Sequence, residues 1–473
     1  MKSIIKHRNF SKGALILVVA LTLQSCFVAQ DYVRPDLPEV TQELYRTDNL
    51  PIDSLSMADL SWKTMFKDSV LQSYIEEGLE NNMDVRIAIQ QMNAAQAYAK
   101  QGKAGFQPTL NVGPNYTRQE FSENSQFGSI FSGGLNTYDI TANLSWEADI
   151  WGGKISSNNR ATQAAYLQSV AGHQAVKTQL ISSIASAYYN LLALDAQLEI
   201  TKQTIKTRES GVETIKALKD AGQVTQVAVD QNVAQFNNAR ALQVDIETAI
   251  FKTENTLSIL LGKGPQNFDR STLESQVIEE NIKLGFPSTL LRNRPDVMAA
   301  EYGLINSFEL TNVANSSFYP SLTLTASGGL QSLQLDELLS VNSLFANIVG
   351  GLTQPILNKR KLKTQKEVAL AQQEQSLLEF KKTLLIAGNE VSNALFSYES
   401  ETKKYEFRVN EVEALRKAES NSEELLKNGY ANYLDLLTAR ESALTAELNI
   451  IDSKLQQLVA VVNLYEALGG GWR

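Results

Sequence analysis

Few side chains in this chain could do chemistry, and the clearest of them is a thiol. Cys26 is the only cysteine in 473 residues. It follows a positive segment (Lys2, Lys6, Arg8, Lys12), an apolar run from Gly13 to Leu23, and Gln24-Ser25. That order reads as an export signal over 1–25, and the cysteine stands where a bacterial lipobox places the thiol that receives lipid. Phe27 follows it, not the aspartate that retains some lipoproteins in the inner membrane, which favours the outer membrane. The other reading is an ordinary cleavable signal with an incidental cysteine. Either way, a lone cysteine in an exported chain has no disulfide partner within it.

No catalytic constellation accompanies the thiol. The two histidines are His7, inside the signal, and His173, isolated on a predicted helix, so no metal site is expected. No phosphate loop, nucleophile elbow or paired-histidine motif occurs, and no cofactor is expected. Gly469-Gly470-Gly471 lacks a strand–turn–helix context and reads as a flexible tail. A net charge of −9 argues against nucleic acid as a partner. The sequence gives an enzyme no support, so function must come from what the chain builds.

What it builds is a duplicated unit. Asn82-Met83-Asp84-Val85 and Phe106-Gln107-Pro108-Thr109-Leu110 return as Arg294-Pro295-Asp296-Val297 and Phe318-Tyr319-Pro320-Ser321-Leu322, both at an offset of 212 (84 to 296, 106 to 318). Ala221-Gly222 and Leu261-Gly262 return as Asn428-Gly429 and Leu468-Gly469 at an offset of 207. A unit near 200 residues is too long for a solenoid repeat. The organisation is therefore 1–25 signal, 26–65 anchored N-terminal segment, 66–265 first repeat, 266–284 irregular linker and 285–473 second repeat.

Proline spacing leaves 115–264 and 356–473 proline-free, so both can hold very long helices. Within them Ile184, Leu191, Leu198, Ile205 and Val212 recur every seven residues, as do Leu370, Leu377, Leu384, Val391, Tyr398, Tyr405 and Val412. A sustained seven-residue repeat coils helices around neighbours. The companion positions are often polar (Asp195, Lys202, Glu401, Arg408), which suits helices packed on one side and wetted on the other, as in the wall of a hollow cylinder. Each predicted helix, 154–220 and 359–427, would rise about 100 Å. Each stops at a glycine, near 222 and 429, and a second helix follows, giving a hairpin with a tight tip.

Elsewhere the period is two. Leu110, Val112 and Tyr116, then Tyr138, Ile140, Ala142, Leu144 and Trp146, alternate with polar residues. Strands are expected near 108–118, 137–147, 320–330 and 344–354, a pattern that suits an outer-membrane barrel, the other reading being a small soluble sheet. Four strands cannot close such a barrel, and an open edge in hydrocarbon leaves polar groups unsatisfied at several kcal/mol each. Chains would have to share one barrel. The runs Lys359-Arg360-Lys361-Leu362-Lys363 and Glu401-Thr402-Lys403-Lys404 read as solvated helix faces, the first beside the membrane boundary, where basic residues can meet headgroups.

Several of these residues resemble a known family, the TolC-like outer-membrane efflux proteins of the lipoprotein branch. They are Arg294-Pro295-Asp296-Val297 with Ala299-Ala300-Glu301, the junction Trp146-Glu147-Ala148-Asp149-Ile150-Trp151-Gly152, its mate Leu352-Thr353-Gln354-Pro355-Ile356, and Tyr32-Val33-Arg34-Pro35. The resemblance implies a mostly helical chain with membrane β structure. It implies a homotrimer with a twelve-stranded outer-membrane β-barrel, four strands per chain, continued by a periplasmic α-barrel of twelve helices. It implies an exit duct working with a periplasmic adaptor and an inner-membrane transporter of the resistance–nodulation–division type. It also implies a gate: Asp435, six residues beyond Gly429, is expected to form an acidic ring, the other reading being a solvated acid favoured by the dipole at a helix N-terminus, and Leu434 an apolar constriction. The adaptor would dock at Gly222, Gln223, Val224, Gly429, Tyr430 and Ala431. Thr438, Glu441 and Ala228 depart from the family pattern, so the closing contacts are expected to differ. The rival architecture is a lipid-anchored periplasmic coiled-coil scaffold without a pore.

Overall fold

The computed structural model describes residues 28–37, 56–128, 134–277, 290–430 and 432–472. Cys26, the signal, part of the linker and Ala431 lie outside the described residues. One order of elements occurs twice. The first copy has helices α1 (Ser69–Asn81) and α2 (Met83–Ala104), strands β1 (Thr109–Gln119) and β2 (Leu135–Ala148), then α3 (Ile155–Asp220) and α4 (Gln226–Leu260). The second has one helical turn at Leu290–Asn293 in the place of α1, then α5 (Pro295–Ser316), β3 (Ser321–Ser332), β4 (Leu344–Thr353), α6 (Lys361–Lys427) and α7 (Tyr433–Ala467). The described residues fall into two compact units, one drawn from those within 1–35, 93–168 and 300–379, the other from those within 36–92, 169–299 and 380–473.

The first unit carries the sheet, antiparallel throughout in the order β1-β2-β3-β4. Its register sorts side chains by polarity. Leu110, Val112 and Tyr116 stand opposite Leu144, Ala142 and Tyr138; Ile140 and Trp146 stand opposite Leu330 and Leu324; Leu322 and Ala326 stand opposite Leu352 and Ile348. All of these share one face, because side chains alternate along a strand. The other face is mainly polar, holding Thr109, Asn111, Asn115, Thr117, Asp139, Thr141, Asn143, Ser145, Thr323, Thr325, Ser327 and Asn347, with Leu135, Phe345 and Val349 among them. The apolar face is open, with Val112 67% and Ile348 74% exposed. Within the described residues, β1 and β4 each pair on one side only.

The repeated Phe-x-Pro motif works at the start of the strands. The carbonyl of Phe106 accepts from Trp146 Nε1 at 3.0 Å, and that of Phe318 from Gln354 Nε2 at 2.8 Å. Asp149 then turns the chain into α3, its carboxylate accepting from the N–H groups of Gly153, Lys154 and Ser156. Those donors hold it below the usual carboxylate range although burial pushes the other way. Arg34 and Arg160 make two-point contacts with Glu301 and Glu309 of α5, all at 2.6–2.9 Å. Glu301 of the Ala-Ala-Glu motif is thus a clamp for the N-terminal segment.

In the second unit, α3, α4, α6 and α7 all end the same way. Gly222, Gly262, Gly429 and Gly469 have φ of 72°, 69°, 75° and 89°. Each N–H bonds three residues back and the next N–H five back, as Gln223 does to Leu218 and Tyr430 to Leu425, both at 2.9 Å. This double closure needs a left-handed residue, which glycine supplies without a Cβ clash. Gly262 and Gly469 have a second reason: a Cβ would sit 2.5 Å from the carbonyl oxygens of Asn81 and Asn293 respectively.

That close approach explains the other repeated motif. Asn82 caps α2 through the N–H groups of Asp84 and Val85, and its Nδ2 reaches the carbonyl of Leu260 at 3.0 Å. At the equivalent place Arg294 Nη1 reaches the carbonyl of Ala467 at 3.0 Å. Arg294 is 7% exposed and also binds Asp296 and Glu390, each at 2.6 Å. The 470 region corrects the sequence reading. Gly469, Gly470 and Gly471 are buried, Gly470 against the Tyr465 ring, and Trp472 Nε1 donates to the Asn293 carbonyl at 2.9 Å. The glycines let the backbone pass that ring; they are not a loose tail.

The linker is legible as far as 277. Arg270 is clasped by Asp195 and by Glu254, the latter at 2.6 Å. Asp68, which caps α1, accepts from Tyr188, Ser271 and Gln276. Burial pushes its carboxyl up, but these donors outweigh it and hold the group below the usual range. Burial pushes the Tyr188 phenol to about 12.

Candidate functional site at the hairpin tips

The two hairpin tips are built alike and finished differently. After Gly222 the chain passes Gln223 and Val224 to Thr225, the N-cap of α4, whose side chain makes no capping bond. Beyond Gly429 it reaches Asn432, whose side chain accepts from the Asp435 N–H at 3.0 Å, while the Asp435 carboxylate accepts from the Asn432 N–H at 3.3 Å. This reciprocal capping box satisfies two orphan donors at once. It also favours a negative charge at the helix start.

Asp435 and Leu434 are both exposed, Leu434 at 55%. Gly222, Gln223, Gly429 and Tyr430 are exposed as well, Tyr430 at 83%, while Val224 is half-buried. Ala228, the first-copy counterpart of Asp435, is half-buried and bonded through its N–H to the Thr225 carbonyl. Thr438 turns its hydroxyl back to the Leu434 carbonyl at 2.9 Å.

The sequence reading passed over the residues that join the two hairpins. Arg208 of α3 is 8% exposed and donates to Glu441 of α7 at 2.7 Å, and to the side chain and carbonyl of Gln235 at 2.7 and 2.6 Å. The Tyr433 hydroxyl meets Asn232 of α4. Within the second hairpin a denser set holds α6 to α7. Arg440 pairs with Glu423 at 3.3 Å and Glu419 at 3.6 Å, and Arg416 with Glu419 at 3.1 Å and with Glu447. Two carboxyls of this set shift in opposite directions. The hydrogen bond from Lys427, with help from Arg440, holds Glu423 below its ordinary range, although burial opposes it. Burial pushes Glu447 above its ordinary range against the pull of Arg416. The signal for Glu441 was present as a departure from the family pattern; its partner lies 233 residues away and could not be paired by spacing.

Chemically the tips offer no nucleophile or acid–base pair. They offer exposed apolar and acidic side chains over a joint of ion pairs, which can be held closed or moved apart. The heptad stripe tells a similar story. Ile184, Leu191, Leu384 and Val391 are fully buried, whereas Leu198, Ile205, Val212, Tyr405 and Val412 are half-buried and Leu370 is 47% exposed. These helices have apolar surface to spare.

A sheet with one apolar and one polar face, carried with duplicated helical hairpins, defines an outer-membrane efflux channel. The chain belongs to the outer membrane efflux protein family, whose sequence profile matches residues 74–263 and 286–470. It is 28% identical over 463 residues to the probable efflux pump outer membrane protein TtgC of Pseudomonas putida, covering 97% of this chain and 95% of that one. It is 27% identical over 458 residues to the cation efflux system protein CusC of Escherichia coli, covering 96% and 98%. Among solved structures, the Neisseria gonorrhoeae MtrE outer membrane channel in its open state superposes with a TM-score of 0.83 at 26% identity, covering 94% of this chain and 98% of that one. The outer-membrane channel OprN shares the fold with a TM-score of 0.87 at 23% identity, covering 94% and 100%.

Proposed function

We propose that three copies of this chain close one barrel in the outer membrane and form a passive exit duct. One observation carries the reading: the sheet has an apolar face, a polar face and two unpaired edges. In hydrocarbon each bare edge is unaffordable, so β1 of one copy must pair with β4 of the next. Two copies would give eight strands, whose interior side chains fill; three give twelve and leave a lumen lined by the polar face. The half-exposed heptad stripe supports the same association, with helices of neighbouring copies completing a twelve-helix periplasmic barrel.

On this reading Cys26 carries a lipid anchor, and the repeats fall at 66–265 and 285–473. The energy for transport comes from an inner-membrane transporter of the resistance–nodulation–division type through a periplasmic adaptor. The adaptor docks at Gly222, Gln223, Val224, Gly429, Tyr430 and Ala431. Leu434 and Asp435 of three copies converge to narrow the inner end, where three carboxylates would favour cations and raise one another's proton affinity. Opening moves the hairpins by sliding helices past one another, which requires the Arg208–Glu441 contact to break or shift.

The test is single-channel conductance of the purified protein in planar bilayers, with disulfide trapping between cysteines placed on the outer edges of β1 and β4. Inter-chain trapping into trimers and a discrete conductance support the duct. A detergent-free soluble monomer without conductance supports the scaffold instead. Asp435→Asn keeps the size and removes the charge, so altered cation selectivity assigns the carboxylate to the gate, and unchanged selectivity leaves it as a helix cap.

A further inference from the structure

The two strand-to-helix junctions of the first unit differ in a way that the duct itself does not require. In the first copy Gly152 takes the left-handed conformation at φ 62°, Asp149 caps α3, and Lys154 is neutralised by Glu147 at 2.6 Å. At an offset of 207 (152 to 359), the one that also relates the hairpin glycines, the second copy has Lys359 at φ 52°, followed by Arg360 at φ 65°. Left-handed backbone is unfavourable for residues with a Cβ. Lys361, Lys363 and Lys366 follow with no acid before Glu367, and α6 has none in its first turn, where the helix dipole disfavours cations. Arg360 pairs with Glu367 at 2.9 Å and Lys366 lies over the Phe318 ring at 5.8 Å. Lys359, Lys361 and Lys363 are exposed and make no ion pair among the described residues. Just before them Ile356 and Leu357 are 87% and 96% exposed. This pair continues from Leu352, a member of the sheet's apolar face.

We propose that residues 356–366 form a clamp for anionic phospholipid in the periplasmic leaflet. Ile356 and Leu357 enter the acyl boundary, and Lys359, Arg360, Lys361 and Lys363 meet the phosphates. The argument is continuity and charge. The apolar face of β4 runs into an exposed apolar pair and then into a cationic cluster, the order in which hydrocarbon gives way to phosphate. Local stability does not call for the cluster, since the first copy makes the same turn with glycine and a neutralised lysine. The inference rests on the sheet lying in a membrane.

The experiment uses the purified full-length protein in neutral detergent, titrated with phosphatidylglycerol or phosphatidylcholine and followed by thermal unfolding at low and high salt. Phosphatidylglycerol is expected to raise the midpoint more than phosphatidylcholine, with the excess suppressed by salt. The double variant K359G/R360G, which relieves the backbone, is expected to unfold at the same or a higher temperature without lipid yet lose most of that excess. K361Q/K363Q on the helix surface is expected to lower the apparent phosphatidylglycerol affinity by about fivefold per cation. Equal responses to the two lipids, or an undiminished excess in both variants, overturns the clamp. So does protection of Ile356 and Leu357 by a second copy, read as trimer loss in I356S/L357S without change in lipid response. Conductance measured on the same samples separates the two readings: a conducting trimer indifferent to phosphatidylglycerol removes only the clamp.

Discussion

The two copies share a backbone plan and divide the stabilising chemistry unevenly. Where helix α2 begins, the first copy uses a neutral Asn82 to reach the end of α4; the second uses Arg294, a buried cation with two carboxylate partners, to reach the end of α7. At the tips, Thr225 makes no side-chain cap while Asn432 and Asp435 cap each other. At the strand junctions the order reverses, with the first copy capped by Asp149 and the second left cationic. Geometry that both copies need is kept in glycines and main-chain bonds. Side-chain chemistry has been free to diverge, and divergence marks where one copy does something the other does not.

The sharpest way to break this comparison is at the paired joints. Arg294→Ala removes the buried guanidinium from the Ala467 carbonyl and from Asp296 and Glu390, whose carboxylates are themselves 41% and 49% exposed, and is expected to cost about 2–3 kcal/mol in denaturant unfolding. Asn82→Ala at the equivalent joint loses a cap and one hydrogen bond, about 1–2 kcal/mol. Equal costs would show that the charge adds nothing over the shared geometry. Next comes the link between hairpins. Arg208→Ala is expected to cost about 2 kcal/mol and to increase channel conductance; a destabilised protein with unchanged conductance would make the link structural only.

At the tips Asn432→Ala is expected to cost about 1 kcal/mol and Thr225→Ala under 0.5 kcal/mol, since only the first removes a capping bond. The smallest effect is on pH dependence, compared through the unfolding midpoints of Glu423→Gln and Glu447→Gln. Glu423, held low, contributes stability present above the ordinary carboxylate range and lost as pH falls through its lower folded value. Glu447, held high, runs the other way, with stability gained as pH falls through its raised value. Glu423→Gln should therefore lower the midpoint near neutrality and reduce acid sensitivity, while Glu447→Gln should be tolerated better there. Matching profiles would remove the distinction.

Regular chemistry made most of the architecture readable. The expected strands lie within two residues of those observed at every end, because alternation along a strand is local. The helix stops at Gly222 and Gly429 were readable because glycine suits that left-handed turn best. The tail glycines misled because their reason, the Tyr465 ring and the Asn293 carbonyl, is distant in sequence. The Arg208–Glu441 and Arg270–Asp195 contacts were invisible for the same reason, spanning 233 and 75 residues. Asp435 stands out by its likeness to a gate residue, whereas its bond with Asn432 is a purely local matter of helix capping.

The bare strand β4 has a consequence for how such a molecule is made. Its sequence, Leu344 to Thr353, contains no proline and no charge, whereas β1 carries Pro114 and Arg118. Charges and prolines are what usually deter a free strand from recruiting the wrong neighbour. A newly exported chain would therefore travel with one guarded flank and one adhesive flank. Its passage through the periplasm must be brief or escorted, and the unguarded strand is where a stalled precursor would begin to clump.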